Sequence, residues 1–287
     1  MFSASPCDYG AHVNTSYHLP VSSSSSLLRR FSIRRGPGSF YRKLESLRFL
    51  LTRDRGLVIS FLRRGGAGGS TLRERLAMLR DYLAVTQAVR GYHSLAEILE
   101  VGAAVLDRRG QADLTVVECG CAKGSSTAKL SLTARRAGGR LIAFDSFQGI
   151  PVNDERHVHL DGREIVFRHR AFRGTLSTVR RTIETHGAPE VCELRKGLFE
   201  QTLPDLQETI DVAFVDVDLL ASVRTCLREL MPRLRSGGVL FSHDGHLRAV
   251  HELLASESFW IHEIGVPVPT IEGLGVRKML RVIPAAG

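Results

Sequence analysis

The strongest constraint on the fold lies in the segment after Asp113, where short apolar runs alternate with stretches of helical length. The runs are Leu114–Val117, Leu141–Phe144, Val191–Leu194, Val212–Val215 and Val239–Phe241, and helices are expected near 125–137, 175–186, 221–234 and 247–256. A short run of uninterrupted apolar residues is a strand covered on both faces, and strands separated by helices join as parallel neighbours. The last stretch breaks the rhythm. Phe259–Ile264 and Val276–Ile283 are strand-like with no helix between them, which predicts a terminal antiparallel pair. The expected class is therefore α/β: a mostly parallel sheet of seven strands, helices on both faces, and a closing antiparallel pair.

Upstream, Thr71 is a plausible N-cap for a helix reaching Val89, and a second helix is expected over Ser94–Leu106. Gly65–Ser70, GGAGGS, reads as a linker, and residues 41–63 as an amphipathic basic helix. Residues 1–40 are Ser-rich with a single acid, Asp8, and read as disordered. Their paired arginines also fit an organelle transit peptide, and a start site placed too early fits as well. The resulting division is a basic extension over 1–70, covering helices over 71–110 and a catalytic domain over 111–287.

The chain of 287 residues carries a net charge of +9, which invites a nucleic-acid reading. The charge is local, however. Residues 1–80 hold 14 Lys+Arg against 4 Asp+Glu, and the remainder 25 against 26, so the body is near neutral. That argues against a broad basic face for nucleic acid. The five cysteines contain no CxxC pair and read as a reduced, buried set in a cytoplasmic protein. No apolar run approaches the roughly 20 residues of a membrane span.

Val116–Thr127, VVECGCAKGSST, is a strand entering a glycine-bearing turn and then a helix. Ligands of open α/β sheets bind at the carboxyl ends of such strands. Gly120 and Gly124 permit a sharp turn and a close backbone approach. The spacing is ExGxxxG rather than the GxGxxG of dinucleotide sites, and Glu118 ahead of the first glycine suits a positively charged cofactor better than a phosphate. The next strand ends in Asp145, placed to accept from the hydroxyls of a ribose. Asp145 could instead be a cap or loop acid.

Two further strands end abruptly in ionisable residues, VAFVDVDL at 212–219 and VLFSHDG at 239–245. Asp216, His243 and Asp244 should converge, with Asp218 nearby. Two buried carboxylates and an imidazole call for a cation. Mg²⁺ suits carboxylate and water ligands, and a histidine admits other divalent ions. The competing reading leaves out the metal, with Asp216 positioning substrate and His243 acting as general base.

Together with FDSFQGIP at 144–151, KGLFEQTLP at 196–204 and MPRLRSGGVLFSHDG at 231–245, these stretches resemble the macrocin O-methyltransferase family, over roughly residues 75–256. The resemblance implies a Rossmann-like class I methyltransferase using S-adenosylmethionine and a divalent metal to methylate sugar hydroxyls of natural products. Carried over by position, Glu118, Gly120, Gly124 and Ser125 would shape the methionine pocket, Asp145 and Ser146 would meet the ribose, and Gly197 and Phe199 would lie near the adenine. Asp216 would be base and metal ligand, completed by His243 and Asp244. The family usually has two aspartates where this chain has His243–Asp244, and a tyrosine that is absent after Asp218. Substrate choice is expected to depend on the N-terminal helices and on the loop Val152–Phe172, either a lid or a solvated surface loop. The expected partner is a small-molecule acceptor, and a homo-oligomer is compatible. Two other readings are N-methylation, against which stands the missing Asn/Asp-Pro-Pro-aromatic motif, and a non-catalytic scaffold that binds the cofactor.

Overall fold

The computed structural model describes residues 55–63 and 70–285. The Ser-rich extension, the glycine linker, Cys7 and most of the expected helix at 41–63 lie outside the described residues.

Helix Leu72–Ala88 starts at Thr71 and helix Leu95–Leu106 at Ser94, each through a full capping box closed by Glu74 or Glu97. Strands β1 (Thr115–Cys119) and β2 (Arg140–Asp145) flank helix Ser125–Ala137. A small hairpin of β3 (His157–Val158) and β4 (Glu164–Ile165) then precedes helix Leu176–His186 and β5 (Cys192–Lys196). Strands β6 (Ile210–Val215) and β7 (Leu234–Ser242) enclose helix Leu220–Leu230, and helix Arg248–Ala255 leads to β8 (Thr270–Glu272) and β9 (Leu280–Ile283).

The seven-stranded sheet has the order β5-β2-β1-β6-β7-β9-β8. It is parallel from β5 to β7, and β9 runs antiparallel to both of its neighbours. The mostly parallel sheet with a closing antiparallel pair is as the sequence predicts, but one of the expected strands is not. Phe259–Ile264 is a π-helical turn, and Thr270–Glu272 supplies the strand instead. Trp260 explains the difference. It is fully buried, its indole nitrogen donates to the Leu254 carbonyl at 2.8 Å, and Gly265 closes the turn with φ +80°. Of this F-W-I-H-E-I stretch only Phe259 and Trp260 are buried while Ile261, His262 and Glu263 are exposed, so the run is too short and too irregular for its pattern to separate strand from helix.

Alternation along the strands divides the core. Val117, Ile142, Ala213 and Leu240 face helices Leu220–Leu230 and Arg248–Ala255. Val116, Leu141, Val212, Phe214, Val239 and Phe241 face the two N-terminal helices and helix Ser125–Ala137. Continuing that period of two past the strand ends puts Glu118, Asp216 and His243 on the N-terminal side. The four described cysteines are free, three of them buried. Among the described residues no helix is long and apolar enough to cross a membrane.

Replacing Trp260 by alanine should cost about 3–5 kcal/mol, the usual range for emptying a large aromatic site. Urea unfolding followed by circular dichroism measures it, and a loss within error of zero would contradict the packing described for this turn.

Candidate active site

Past the carboxyl ends of the strands, backbone hydrogen bonds keep adjacent loops in line. Gly197 N donates to Asp145 O at 3.1 Å, Gly120 N to Phe144 O at 3.0 Å, Asp216 N to Cys119 O at 3.0 Å and His243 N to Val215 O at 2.8 Å. The residues singled out from sequence therefore stand side by side along one edge of the sheet. The strand order reverses between β1 and β6, and the crevice of a doubly wound sheet lies at such a point.

The glycine loop is tightly constrained. Gly120 has φ +93°, and a Cβ there would lie 2.0 Å from the Asp216 carbonyl oxygen. Gly124, at φ +84°, is the N-cap of the following helix. Ser125 is buried in that helix, its hydroxyl 3.4 Å from the Val89 carbonyl. Glu118 is fully buried and neither of its oxygens has a hydrogen-bond partner. Burial pushes its carboxyl up to about 8, with the charges of Asp145 and Asp216 acting in the same direction and the nearby Ser126 and Thr127 hydroxyls, outside hydrogen-bond geometry, acting against it.

Asp145 accepts from its own surroundings: Oδ2 from Cys121 N at 2.7 Å and Oδ1 from Phe147 N at 2.6 Å. Its carboxyl is raised by burial against the pull of those amides. Ser146 closes a turn, accepting from Gln148 N at 3.2 Å. Gly197 leaves room for Thr202, whose Cγ2 would be 2.5 Å from a Cβ, and Phe199 packs at the core margin.

At β6 and β7 the arrangement differs from the expected metal set. The oxygens of Asp216, Asp218 and Asp244 lie within 4.8 Å of one another. Asp244 Oδ2 accepts from Val217 N and Asp218 N, both at 3.2 Å, while its Oδ1 has no partner. Asp218 reaches the group from a left-handed backbone, φ +65°. Burial, with Asp244 and Asp216, raises Asp218 well above the usual range, and burial with Asp216 pushes Asp244 up to about 6.

His243 is not part of that group. Its Nδ1 lies 3.0 Å from Asp216 Oδ1 and its Nε2 lies 3.3 Å from Glu97 Oε2. Nδ1 is engaged by Asp216, whereas Nε2 lies beside Glu97 without a hydrogen bond that meets the geometric limits. Burial alone would lower this histidine; Asp216 and Glu97 outweigh it and push it up to about 9. Burial works against ionisation of Asp216 and Glu97 too, yet His243 holds both well below the usual carboxylate range. The charge of Lys278 acts on the same groups, lowering Asp216, Asp218 and Asp244.

Sequence reading missed Glu97 and His93. Glu97 has two tasks, since the oxygen facing His243 also accepts from Ser94 N at 2.6 Å in the capping box. The S-x-x-E pattern at Ser94–Glu97 signals the cap but not the second contact. His93 Nε2 lies 2.9 Å from Lys129 Nζ.

The loop 152–172 is packed across the ends of β6 and β7. Glu155 caps helix Leu220–Leu230, accepting from Leu220 N at 2.7 Å and Ala221 N at 3.1 Å. His157 is buried beside it, with Nε2 3.0 Å from Glu155 Oε2. His159 bridges to Leu247, and Leu160 N donates to His246 O at 3.0 Å.

Residues 117–245 match a family described as a methyltransferase domain, Methyltransf_24. The matched segment is a methyltransferase domain. The chain is 28% identical over 208 residues to a tetracenomycin-C 4'-O-methyltransferase of Streptomyces olivaceus that acts on the 8-demethyl-8-(2,3-dimethoxy-alpha-L-rhamnosyl) form, covering 69% of its own length and 77% of the relative. The O-methyltransferase NovP shares the fold with a TM-score of 0.54 at 21% identity, over 65% of this chain and 78% of its own. The calicheamicin methyltransferase CalS11 does so with a TM-score of 0.51 at 15% identity, over 93% of this chain and all of its own. The fold is thus the Rossmann-like one of class I methyltransferases.

Two predictions follow from this geometry. Gly120→Ala puts a methyl group into the Asp216 carbonyl and should lower thermal stability and abolish S-adenosylhomocysteine binding, read by calorimetry; unaltered binding would refute the close approach. The second concerns pH. A histidine raised from about 6.5 when unfolded contributes stability that is complete below that value and disappears as pH rises through its folded value of about 9. Urea unfolding in EDTA should show wild type losing more stability than His243→Gln between neutral and alkaline pH. Parallel losses in the two proteins would mean that the imidazole is not clamped as an ion.

Proposed function

We propose that this methyltransferase uses S-adenosylmethionine to methylate a hydroxyl of a small molecule, of the glycosylated natural-product class, with a divalent cation held by Asp216, Asp218 and Asp244. The observation that carries the reading is the convergence of those three carboxylates within 4.8 Å, one with an unpartnered buried oxygen, beside the glycine loop. Carboxylate oxygens alone fit Mg²⁺ better than a softer ion. The acceptor class rests on the Streptomyces relative, whose name places its methyl group on the 4'-hydroxyl of a rhamnosyl unit, and on the resemblance to the macrocin O-methyltransferases.

The chain's own residues then divide the work. S-Adenosylmethionine brings the methyl group on a sulfonium, so the protein has to align an oxygen behind it and remove a proton. When bound, the cation would lower the pKa of the acceptor hydroxyl. Asp216 is oriented through Oδ1 by His243 and keeps its other oxygen for the cluster. Asp244 is fixed through Oδ2 by two backbone amides, which leaves Oδ1 for a ligand. His243 acts as the clamp of Asp216 rather than as the base. Tyr92 and Phe172, edge to face at 4.8 Å, form an apolar wall suited to a ring of the acceptor.

Asp216→Asn should retain S-adenosylhomocysteine binding within about twofold and lose turnover by about 10²–10⁴, the usual worth of a positioned acid–base group. Turnover near wild type would remove Asp216 from the mechanism. A second reading has a specific observation behind it: the Lys278 charge reaches all three carboxylates and could balance them without an ion. Dialysis against EDTA followed by Mg²⁺ separates the two. Loss and recovery of activity supports the metal, and an unchanged rate supports Lys278.

A further inference from the structure

Residues 165–183 hold Arg168, Arg170, Arg173, Arg180 and Arg181 and neither an aspartate nor a glutamate, although the chain beyond residue 80 is balanced overall. All five arginines are exposed. Elsewhere on the surface arginines meet acids: Arg135 reaches Glu190 at 3.1 Å, Arg163 reaches Asp161 at 2.7 Å and Arg281 reaches Glu272 at 3.1 Å. Among the described residues no acid comes within the 4.0 Å of an ion pair with Arg168, Arg170 or Arg173. Nor does an acid occupy the first turn of helix Leu176–His186, where the peptide dipoles would favour one.

The first three arginines stand on a rigid frame. Arg170 N donates to Ile150 O at 2.7 Å, Ile150 N to Ala171 O at 3.0 Å and Ala171 N to Arg168 O at 3.0 Å. Arg170 and Phe172 have left-handed backbone, φ +66° and +57°, which bulky residues adopt only where the surroundings impose it. Such strain gathers where a segment serves a ligand. On its inner side Phe167 is buried and Phe172 meets Tyr92 edge to face at 4.8 Å, so the segment forms the aromatic wall already described. Its exposed arginines edge that wall. Across the crossing at Gly174 stands the exposed Lys123 of the glycine loop, its Cα 3.0 Å from where a Cβ of Gly174 would lie. Like charges gathered without an acid between them repel, and a cleft edged with one sign concentrates the opposite one.

We infer that Arg168, Arg170 and Arg173, with Lys123 beside them, form a subsite for a phosphate or diphosphate group carried by the acceptor. The inference rests on the hydroxyl-methylation reading above and narrows its substrate class to a hydroxylated small molecule that bears a multivalent anion. Arginine suits such a group, since its planar fork donates in pairs to phosphate oxygens and keeps its charge at any working pH. Arg170 and Arg173 flank Phe172 in the chain, so a ring held against Phe172 carries its anionic substituent into their reach. One ligand thus meets the aromatic wall and the basic rim together. The same charges draw an anionic acceptor toward the cleft from a distance, a pull that salt weakens.

Calorimetric titration of the full chain, saturated with S-adenosylhomocysteine, tests the subsite with inorganic pyrophosphate, a nucleoside-diphosphate rhamnose and neutral methyl rhamnoside. Wild type should bind both diphosphates and prefer the sugar diphosphate to the neutral glycoside by about 10- to 100-fold, the usual worth of a charge-assisted contact. The combined variant Arg168→Gln, Arg170→Gln and Arg173→Gln should lose that preference and keep its affinity for S-adenosylhomocysteine. A control variant, Arg55→Gln, Arg63→Gln and Arg73→Gln, removes the same charge from exposed arginines of the N-terminal helices and should keep the preference. Equal losses in the two variants overturn the subsite, because binding would then follow net charge alone. A wild type that binds no pyrophosphate overturns it as well. Pyrophosphate binding with no preference for the sugar diphosphate overturns the assignment to the acceptor, since the rim would then serve a free anion. A wild type that shows the preference but methylates no hydroxyl would refute the hydroxyl-methylation reading itself, a separate failure.

Discussion

The interaction on which the site depends is the imidazole of His243 held between Asp216 and Glu97. One carboxylate stands at the end of a central strand, the other on a helix of the N-terminal layer. Without the positive charge between them they would repel, and the helix would lose its electrostatic reason to dock there. Glu97 also completes the capping box of its own helix, so helix initiation and site assembly share one carboxylate.

The remaining elements bring charges to that point and keep water from relieving them. Alternation along β1, β6 and β7 sends Glu118, Asp216 and His243 to the same face of the sheet, under the N-terminal helices. The opposite face is apolar and closed by Trp260 and its neighbours. Acids on one side of a rigid sheet, with apolar packing on the other, give a site whose geometry is set by the backbone ladder rather than by flexible loops. Loop 152–172 adds a second layer, tied to the amides of one helix and to the backbone at His246 and Leu247.

How much of this was legible in the sequence depends on the kind of signal. The parallel strands were, four of the five because each is an apolar run that ends beside an ionisable residue, whereas the edge strand β5, C-E-L-R-K, alternates. The glycine loop and Asp216–Asp244 were legible for the same reason. Phe259–Ile264 was not, since two buried aromatics followed by exposed residues are too short a pattern to carry a period. Asp218 was read as a bystander, because in VDVDL strict alternation puts it beside Asp216, and only the left-handed turn at φ +65° shows how it reaches Asp244. Glu97, His93 and Lys129 are ordinary polar residues of helices and loops in a linear reading. Their contacts join segments about 36 residues or more apart. The histidine of the His243–Asp244 pair was recognised as unusual, but its partner on a distant helix had no local signature.

Gly174 shows how the insertion 152–172 is bound to the methyltransferase domain. A Cβ there would lie 1.7 Å from the Ala122 carbonyl oxygen and 3.0 Å from Lys123 Cα, so the chain leaving the insertion passes directly against the backbone of the glycine loop. Diversification of the insertion is free only upstream of that crossing. A lineage could exchange the hairpin and its histidines for others. The seam at Gly174 would have to be inherited unchanged, because any side chain there would be felt first at the loop beneath it.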